Sequence, residues 1–286
     1  MDVLLVSGLS GSGKSIALGV LEDHGYYCVD NLPATLLINV ADLLLEGGHR
    51  KIAVSVDARS AALPALPENL ARMQARGLAC QVLFLEAGTQ TLLRRFSETR
   101  RGHPLASGGL TLAEAVERER ELLSGVAALG HRIDTSDLQP RVLQNWIVDL
   151  LNIEPGALTL LFESFAFRVG IPLDADWVVD SRMLPNPHYD PALRSLTGRD
   201  APVAKFFEQQ ELVQRWLADV AGFLERWLPE VVRENRSYLT VAIGCTGGRH
   251  RSVYLVERLA DTFRHKSRVL VRHRGLAIDT EPRARP

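Results

Sequence analysis

Gly8-Leu9-Ser10-Gly11-Ser12-Gly13-Lys14-Ser15 constrains this chain more than any other stretch, because it fits G-x-x-x-x-G-K-[ST] at every fixed position. The apolar run Val3–Ser7 before it reads as a strand, and Lys14–His24 after it as a helix. Strand, glycine loop and helix in that order make an anion cradle. The glycines let successive N–H groups point inward, and the helix start adds its positive end. Lys14 places an ammonium on the β- and γ-phosphates of a nucleotide, and the Ser15 hydroxyl is a ligand for Mg²⁺. The flanking strand and helix speak against a glycine-rich turn of purely structural use.

The rest of the first half repeats the alternation. Strands are expected at Tyr26–Val29, Ile52–Asp57, Gln81–Leu85 and Arg132–Thr135. Helices are expected at Pro33–Leu45, Glu68–Arg76, Thr89–Thr99, Leu112–Leu129 and Leu138–Leu151. Strands that are solid Val/Leu/Ile runs belong to a parallel sheet covered on both faces. The fold class is therefore α/β, with a doubly wound, kinase-like P-loop domain over 1–153. Pro155-Gly156 marks a turn, after which a smaller α/β domain is expected over 154–286. Its strands are Leu158–Phe162, Trp177–Asp180, Tyr238–Ile243 and Arg268–Val271, and its helices are Pro202–Trp227 and Val253–Arg264. The prolines of 184–191 exclude both helix and central strand there.

A length of 286 residues suits two domains. With 33 Lys/Arg against 34 Asp/Glu, the net charge of −1 excludes a wholesale polyanion binder. Any nucleic-acid surface must be a local patch. Three scattered cysteines, Cys28, Cys80 and Cys245, offer neither a disulfide framework nor a zinc site. The start lacks the pattern of a signal peptide, and no run of 18 apolar residues occurs. A soluble, cytoplasmic protein that makes no use of a membrane is the expectation.

Two further features belong to the first loop. Lys51–Asp57 is an apolar strand ending in a carboxylate, the Walker B form, so Asp57 is a candidate for Mg²⁺ and, with Lys14, for hydrolysis. Asp30 is its rival, and either acid could instead cap a helix or turn. Arg59 lies within reach of a phosphate or is an ordinary surface arginine. Arg94, Arg95, Arg100 and Arg101, before Ser107-Gly108-Gly109, have the composition of a phosphate-covering lid. They equally fit a solvated helix face paired with Glu98 and the acids of 114–121.

The second half carries another strand–loop–helix, Val241 to Ser252. Thr246, Gly247 and Gly248 would donate N–H groups to an anion there, and Arg251 would clamp it. Cys245 and Arg251 also have the C-x₅-R spacing of cysteine phosphatases, although Gly244 stands where those enzymes carry histidine. A small buried cysteine under the loop is the plainer reading. His188, in a proline-stiffened loop, either faces this site or is simply exposed. From Thr262 onward, Arg264, Lys266, Arg268, Arg272 and Arg274 stand in a basic end that could neutralise RNA phosphates, or form a solvated terminus.

Taken together, these motifs resemble the RapZ family of bacterial P-loop nucleotide-binding proteins. The likeness rests on 6–15, on Leu21-Glu22-Asp23-His24-Gly25-Tyr26-Tyr27-Cys28-Val29-Asp30-Asn31-Leu32-Pro33, on Phe162-Glu163-Ser164-Phe165, on Leu184-Pro185-Asn186-Pro187-His188 and on 237–248. It implies ATP at Gly8–Ser15, GTP at Asp57-Ala58-Arg59-Ser60, and weak hydrolysis. It also implies a phosphofructokinase-like C-terminal domain that contacts small regulatory RNA and self-associates into a homo-oligomer. His188, Thr246, Gly247 and Arg251 match the family's C-terminal ligand positions, for an amino-sugar phosphate. Adapter-type members present RNA to RNase E and end in a lysine-rich cluster. This chain instead ends Asp279-Thr280-Glu281-Pro282-Arg283-Ala284-Arg285-Pro286. The competing class is a small-molecule P-loop kinase using the arginine lid.

Overall fold

The computed structural model describes residues 2–60, 62–106, 109–151, 158–234, 236 and 238–278. The chain divides into two units, Met1–Pro155 and Gly156–Pro286.

In the first unit the elements run β1 (Asp2–Gly8), α1 (Lys14–Asp23), β2 (Tyr27–Val29), α2 (Leu37–Glu46), β3 (Lys51–Ser55) and α3 (Leu66–Ala75). They continue as β4 (Ala79–Glu86), α4 (Thr89–Thr99), α5 (Leu112–Ala127), β5 (His131–Asp134) and α6 (Pro140–Leu151). The five strands are all parallel, in the order β2-β3-β1-β4-β5. This is the doubly wound sheet expected from the solid apolar runs. β1 is central and buried from Val3 to Gly8, because helices cover both of its faces. The connection out of β1 runs toward β2 and the one out of β4 toward β5, so a topological switch point lies at the carboxyl ends of these two neighbours. On one face Val3, Leu5, Val54 and Phe84 pack with Leu37, Met73, Leu92 and Leu123. Thr111 and Glu114 form a capping box at the start of α5.

The second unit runs β6 (Thr159–Ala166), β7 (Trp177–Asp180), α7 (Ala201–Glu208), α8 (Glu211–Arg233), β8 (Tyr238–Cys245), α9 (Arg251–Phe263), β9 (Arg268–His273) and α10 (Arg274–Ile278). Its sheet is again parallel, ordered β7-β8-β6-β9. Phe162 of β6, Phe207 of α7 and Tyr254 and Phe263 of α9 fill its core. The Phe207 and Tyr254 rings stack at 4.8 Å.

One expectation is corrected here. The helix read as Pro202–Trp227 is two helices, because Gln210 takes an extended backbone (φ −99°, ψ 108°) between α7 and α8. The Phe207 carbonyl accepts from the Gln210 amide and the Gln214 side chain at that break. Within the proline-rich segment, Pro187–Tyr189 forms one 3₁₀ turn, which Asn186 caps by accepting the His188 N–H.

One acid of this unit, Glu257, is held well below its ordinary range. Glu257 accepts from His273 Nε2 (3.1 Å) and Arg199 Nε (2.5 Å). The His273 hydrogen bond, and then the Arg199 guanidinium, outweigh burial and hold the carboxyl at about 2 instead of the ordinary 4.5. A depressed folded-state value gives stability that is present above about 4.5 and lost as the pH falls toward 2. Glu257→Gln should therefore flatten the acid limb of unfolding in that window, read by circular dichroism against pH.

Candidate functional site

β1 ends in the first loop because Gly8 alone fits there. Its φ is +139°, and a Cβ would lie 2.0 Å from the Leu85 carbonyl oxygen of β4. The Leu9 amide donates to that same oxygen (3.0 Å). Gly11 and Gly13 also have positive φ, and α1 begins at Lys14 with no side-chain cap and no acid in its first turn. The positive end of α1 is thus left to a ligand. Ser12 Oγ is buried and has no hydrogen-bond partner. Both observations fit a polyphosphate in this loop. Lys14 Nζ turns back to donate to the carbonyls of Gly8 (2.6 Å) and Leu9 (3.1 Å). Burial lowers its pKa, while the charges of Glu119, Asp57 and Asp30 work in the opposite direction.

Asp57 follows β3 and is buried. Its Oδ1 accepts the Arg59 amide (2.9 Å), and its Oδ2 accepts Arg59 Nε (2.9 Å) and Nη2 (2.5 Å). Oriented to satisfy its neighbours, the Asn31 amide donates to Asp57 Oδ2 (2.8 Å) and accepts from Arg59 Nη2 (3.1 Å). These Asp57 hydrogen bonds push the Arg59 pKa further up. Ser60 Oγ accepts the Ala34 N–H (2.7 Å), and Ala58 is buried, so 57–60 is seated against 31–34. The sequence gives no warning that Asn31 bridges Asp57 and Arg59.

A second group was not foreseen. Glu119, on α5, is 1% exposed, and both of its oxygens hold the loop. The Ser10 amide donates to Oε2 and the Ser10 hydroxyl to Oε1, each at 2.7 Å. Behind it, His103 Nε2 lies 3.1 Å from Oε2. The acids of 114–121 read as a solvated face, yet Glu119 continues the buried stripe Val116, Leu123, Val126 of α5. An acid at an apolar position of the helical period was the available signal.

Of the four arginines with the composition of a lid, Arg95 reaches the loop. Its Nη1 donates to Gly11 O and Thr135 Oγ1 (both 3.0 Å), and its Nη2 to Thr135 O (2.6 Å). Arg94 lies 3.9 Å from Glu98, the exposed pairing weighed as the alternative, and Arg100 and Arg101 are exposed. Ser107 and Gly108 lie outside the described residues.

The second loop, 246–250, joins β8 to α9. Here too the helix starts without a side-chain cap or an acid in its first turn. Thr246 is exposed and Gly247 half-buried. Cys245 is buried, with its Sγ accepting the Gly248 N–H (3.2 Å) and lying 3.2 Å from Ser252 Oγ. That is the small cysteine packed under the loop. Arg251, read as a clamp, is 6% exposed. Its Nη1 donates to the carbonyls of Arg182 (2.9 Å) and Leu184 (3.2 Å), and its Nη2 to Thr246 Oγ1 (3.4 Å). His188 is exposed, with its ring 6.2 Å from that of His250. His250 is held by the Leu193 carbonyl, and burial lowers its pKa. Arg251→Ala should lower stability by about 2 kcal/mol through these lost hydrogen bonds, read by urea unfolding.

The basic end is only partly a surface. Arg264 pairs with Asp261, and Lys266 with Glu225 at 2.5 Å. Arg268 is half-buried. Arg272 and Arg274, expected to face RNA, are 3% and 5% exposed. β9 runs inward: Arg272 lies beside Glu163 of β6 in register, and Arg274 faces Glu163 (3.5 Å) and Asp174 (3.9 Å). The 279–286 tail lies outside the described residues.

Residues 1–154 match the RapZ-like N-terminal domain, and residues 158–277 the RapZ C-terminal domain. A "Nucleotide-binding protein" of Methylobacillus flagellatus is 57% identical over 277 residues, covering 96% of this chain and 99% of its own. Another, of Thiobacillus denitrificans, is 56% identical over 281 residues, covering 97% and 100%. Among solved structures, shikimate kinase from Bacteroides thetaiotaomicron aligns with 53% of this chain and 99% of its own. Its identity is 16% and its TM-score 0.36, too distant to bear on what this chain does.

Proposed function

This chain belongs to the RapZ family by both of its domains, and on that premise we propose that it is a regulatory nucleoside-triphosphate-binding protein with slow hydrolysis. The observation that carries this reading is the uncapped start of α1 above a glycine loop, with the Lys14 ammonium turned into it. Gly8, Leu9, Ser10, Gly11, Ser12 and Gly13 wrap ATP, and Lys14 leaves two carbonyls for its phosphates. A bound Mg²⁺ would supply neutralisation of the phosphate charge. Ser15 would hold it, and Asp57 would become available to it once Arg59 turned to the nucleotide. Asp57, Ala58, Arg59 and Ser60 form the segment for GTP.

The second loop takes an anionic metabolite, an amino-sugar phosphate, through Thr246, Gly247 and His188, with Arg251 as its brace. RNA, presented to RNase E, is the macromolecular partner, and the chain acts as a homo-oligomer in the cytoplasm. With Arg272 and Arg274 buried, the contacting cations of this end reduce, among the described residues, to Arg264, Lys266 and Arg268. Three phosphate contacts imply that RNA affinity falls about 20-fold between 50 and 200 mM salt. A filter-binding series measures this, and salt-independent retention would remove the electrostatic footprint. The nucleotide reading is tested by equilibrium titration of the full chain with Mg·ATP and Mg·GTP. Saturable binding of each supports it, and a triphosphate found elsewhere than the first loop overturns it.

A further inference from the structure

Ser10, Glu119 and His103 form a connected set that binding a polyphosphate does not require. The Glu119 carboxylate is buried, and its two oxygens take both polar hydrogens of Ser10, amide and hydroxyl, at 2.7 Å. His103 is buried as well, and the Leu105 amide donates to its Nδ1 (3.1 Å). The ring proton therefore sits on Nε2, from which His103 donates to Glu119 Oε2 (3.1 Å). A hydroxyl, a carboxylate within hydrogen-bond reach and a third group orienting that carboxylate are the arrangement of an activated oxygen. Ser10 is half-buried, whereas Glu119 is closed to solvent, so a reacting water meets the hydroxyl and not the acid.

We propose that Glu119 is a positioning residue for nucleotide hydrolysis: it acts through the Ser10 hydroxyl, which relays the proton of the attacking water. In the step, the water oxygen bonds to the terminal phosphorus as the bond from that phosphorus to the bridging oxygen breaks. The water proton passes to Ser10 Oγ while the Ser10 proton passes to Glu119 Oε1. The nucleoside diphosphate leaves with the bridging electron pair, and the proton is later returned to solvent. Lys14 and the loop amides take the charge on the phosphates, and His103 keeps the Glu119 carboxylate turned toward Ser10. This rests on reading the first loop as a triphosphate site.

Glu119→Gln separates the relay from a mere tether. A Gln oxygen at the Oε2 position still accepts the Ser10 amide and His103 Nε2–H. Its amide group at the Oε1 position donates to the Ser10 hydroxyl, which has only to turn around. The fold and the loop are kept, and the proton acceptor is lost.

The experiment uses the full chain with Mg·ATP, measuring affinity by equilibrium titration and hydrolysis by single-turnover release of phosphate. Glu119→Gln is expected to keep the melting temperature and to change affinity less than about threefold, while hydrolysis falls about 100-fold, the lower end for general-base assistance. Ser10→Ala should slow hydrolysis comparably, and adding Glu119→Gln to it should cost little more, because the two act as one unit. Hydrolysis by Glu119→Gln at the wild-type rate overturns the relay, as does an additive double variant. A stable phosphoserine at Ser10 in the intact mass would also overturn it, making Ser10 the nucleophile itself. If the wild-type chain takes up no nucleotide, it is the triphosphate reading that fails.

Discussion

Lys14→Ala lowers the affinity of the first loop for Mg·ATP at least ~100-fold and leaves the melting temperature of the first unit unchanged or slightly higher. The binding loss follows from two charge-assisted hydrogen bonds to phosphate, worth about 1.5–3 kcal/mol each, at about 1.4 kcal/mol per decade of affinity. The stability side has the opposite sign for a reason visible at Lys14 itself. Burial depresses its pKa even with Glu119, Asp57 and Asp30 nearby, so the loop holds its ammonium at a cost. The hydrogen bonds to Gly8 and Leu9 offset that cost in part. Titration with a fluorescent nucleotide and a thermal melt on one preparation read both halves. Unchanged affinity would remove Lys14 from the site.

Gly8→Ala has the largest expected effect on stability, more than ~3 kcal/mol. The new Cβ would stand 2.0 Å from the Leu85 carbonyl oxygen, which is backbone and cannot swing aside. The positive φ adds strain of about 1–3 kcal/mol. Relief requires β1 to part from β4 at the point where Leu9 N–H meets Leu85 O. Gly11→Ala is the control. It shares the strained backbone, but its Cβ would meet the Phe96 ring at 3.4 Å, so it should cost about 1 kcal/mol. Urea unfolding compares the two, and equal losses would show that backbone strain alone decides.

The first loop was readable because its chemistry is written in one run of eight residues, between a strand and a helix. The alternation of solid apolar runs with helical ones was readable because parallel strands are buried on both faces. Contacts over long sequence distances were less so. Glu119 stands among Glu117, Arg118, Arg120 and Glu121, and only its phase on the α5 stripe separates it from that polar run. Arg272 and Arg274 counted toward a basic end because charge was summed along the chain without asking which way β9 faces. Its last residues are buried, while its first are half-exposed. Gln210 broke a helix that composition favours, since a single extended residue leaves no periodic trace.

Arg251 ties the carbonyls of Arg182 and Leu184 to the hydroxyl of Thr246. A guanidinium is a rigid plane, so the segment after β7 and the segment after β8 share one hinge pin. Anything that stills the glycine turn must also quiet the start of the proline-rich stretch. Slowed deuterium uptake would then spread to the 182–184 amides when an anion sits on Thr246, although none of those amides need touch it.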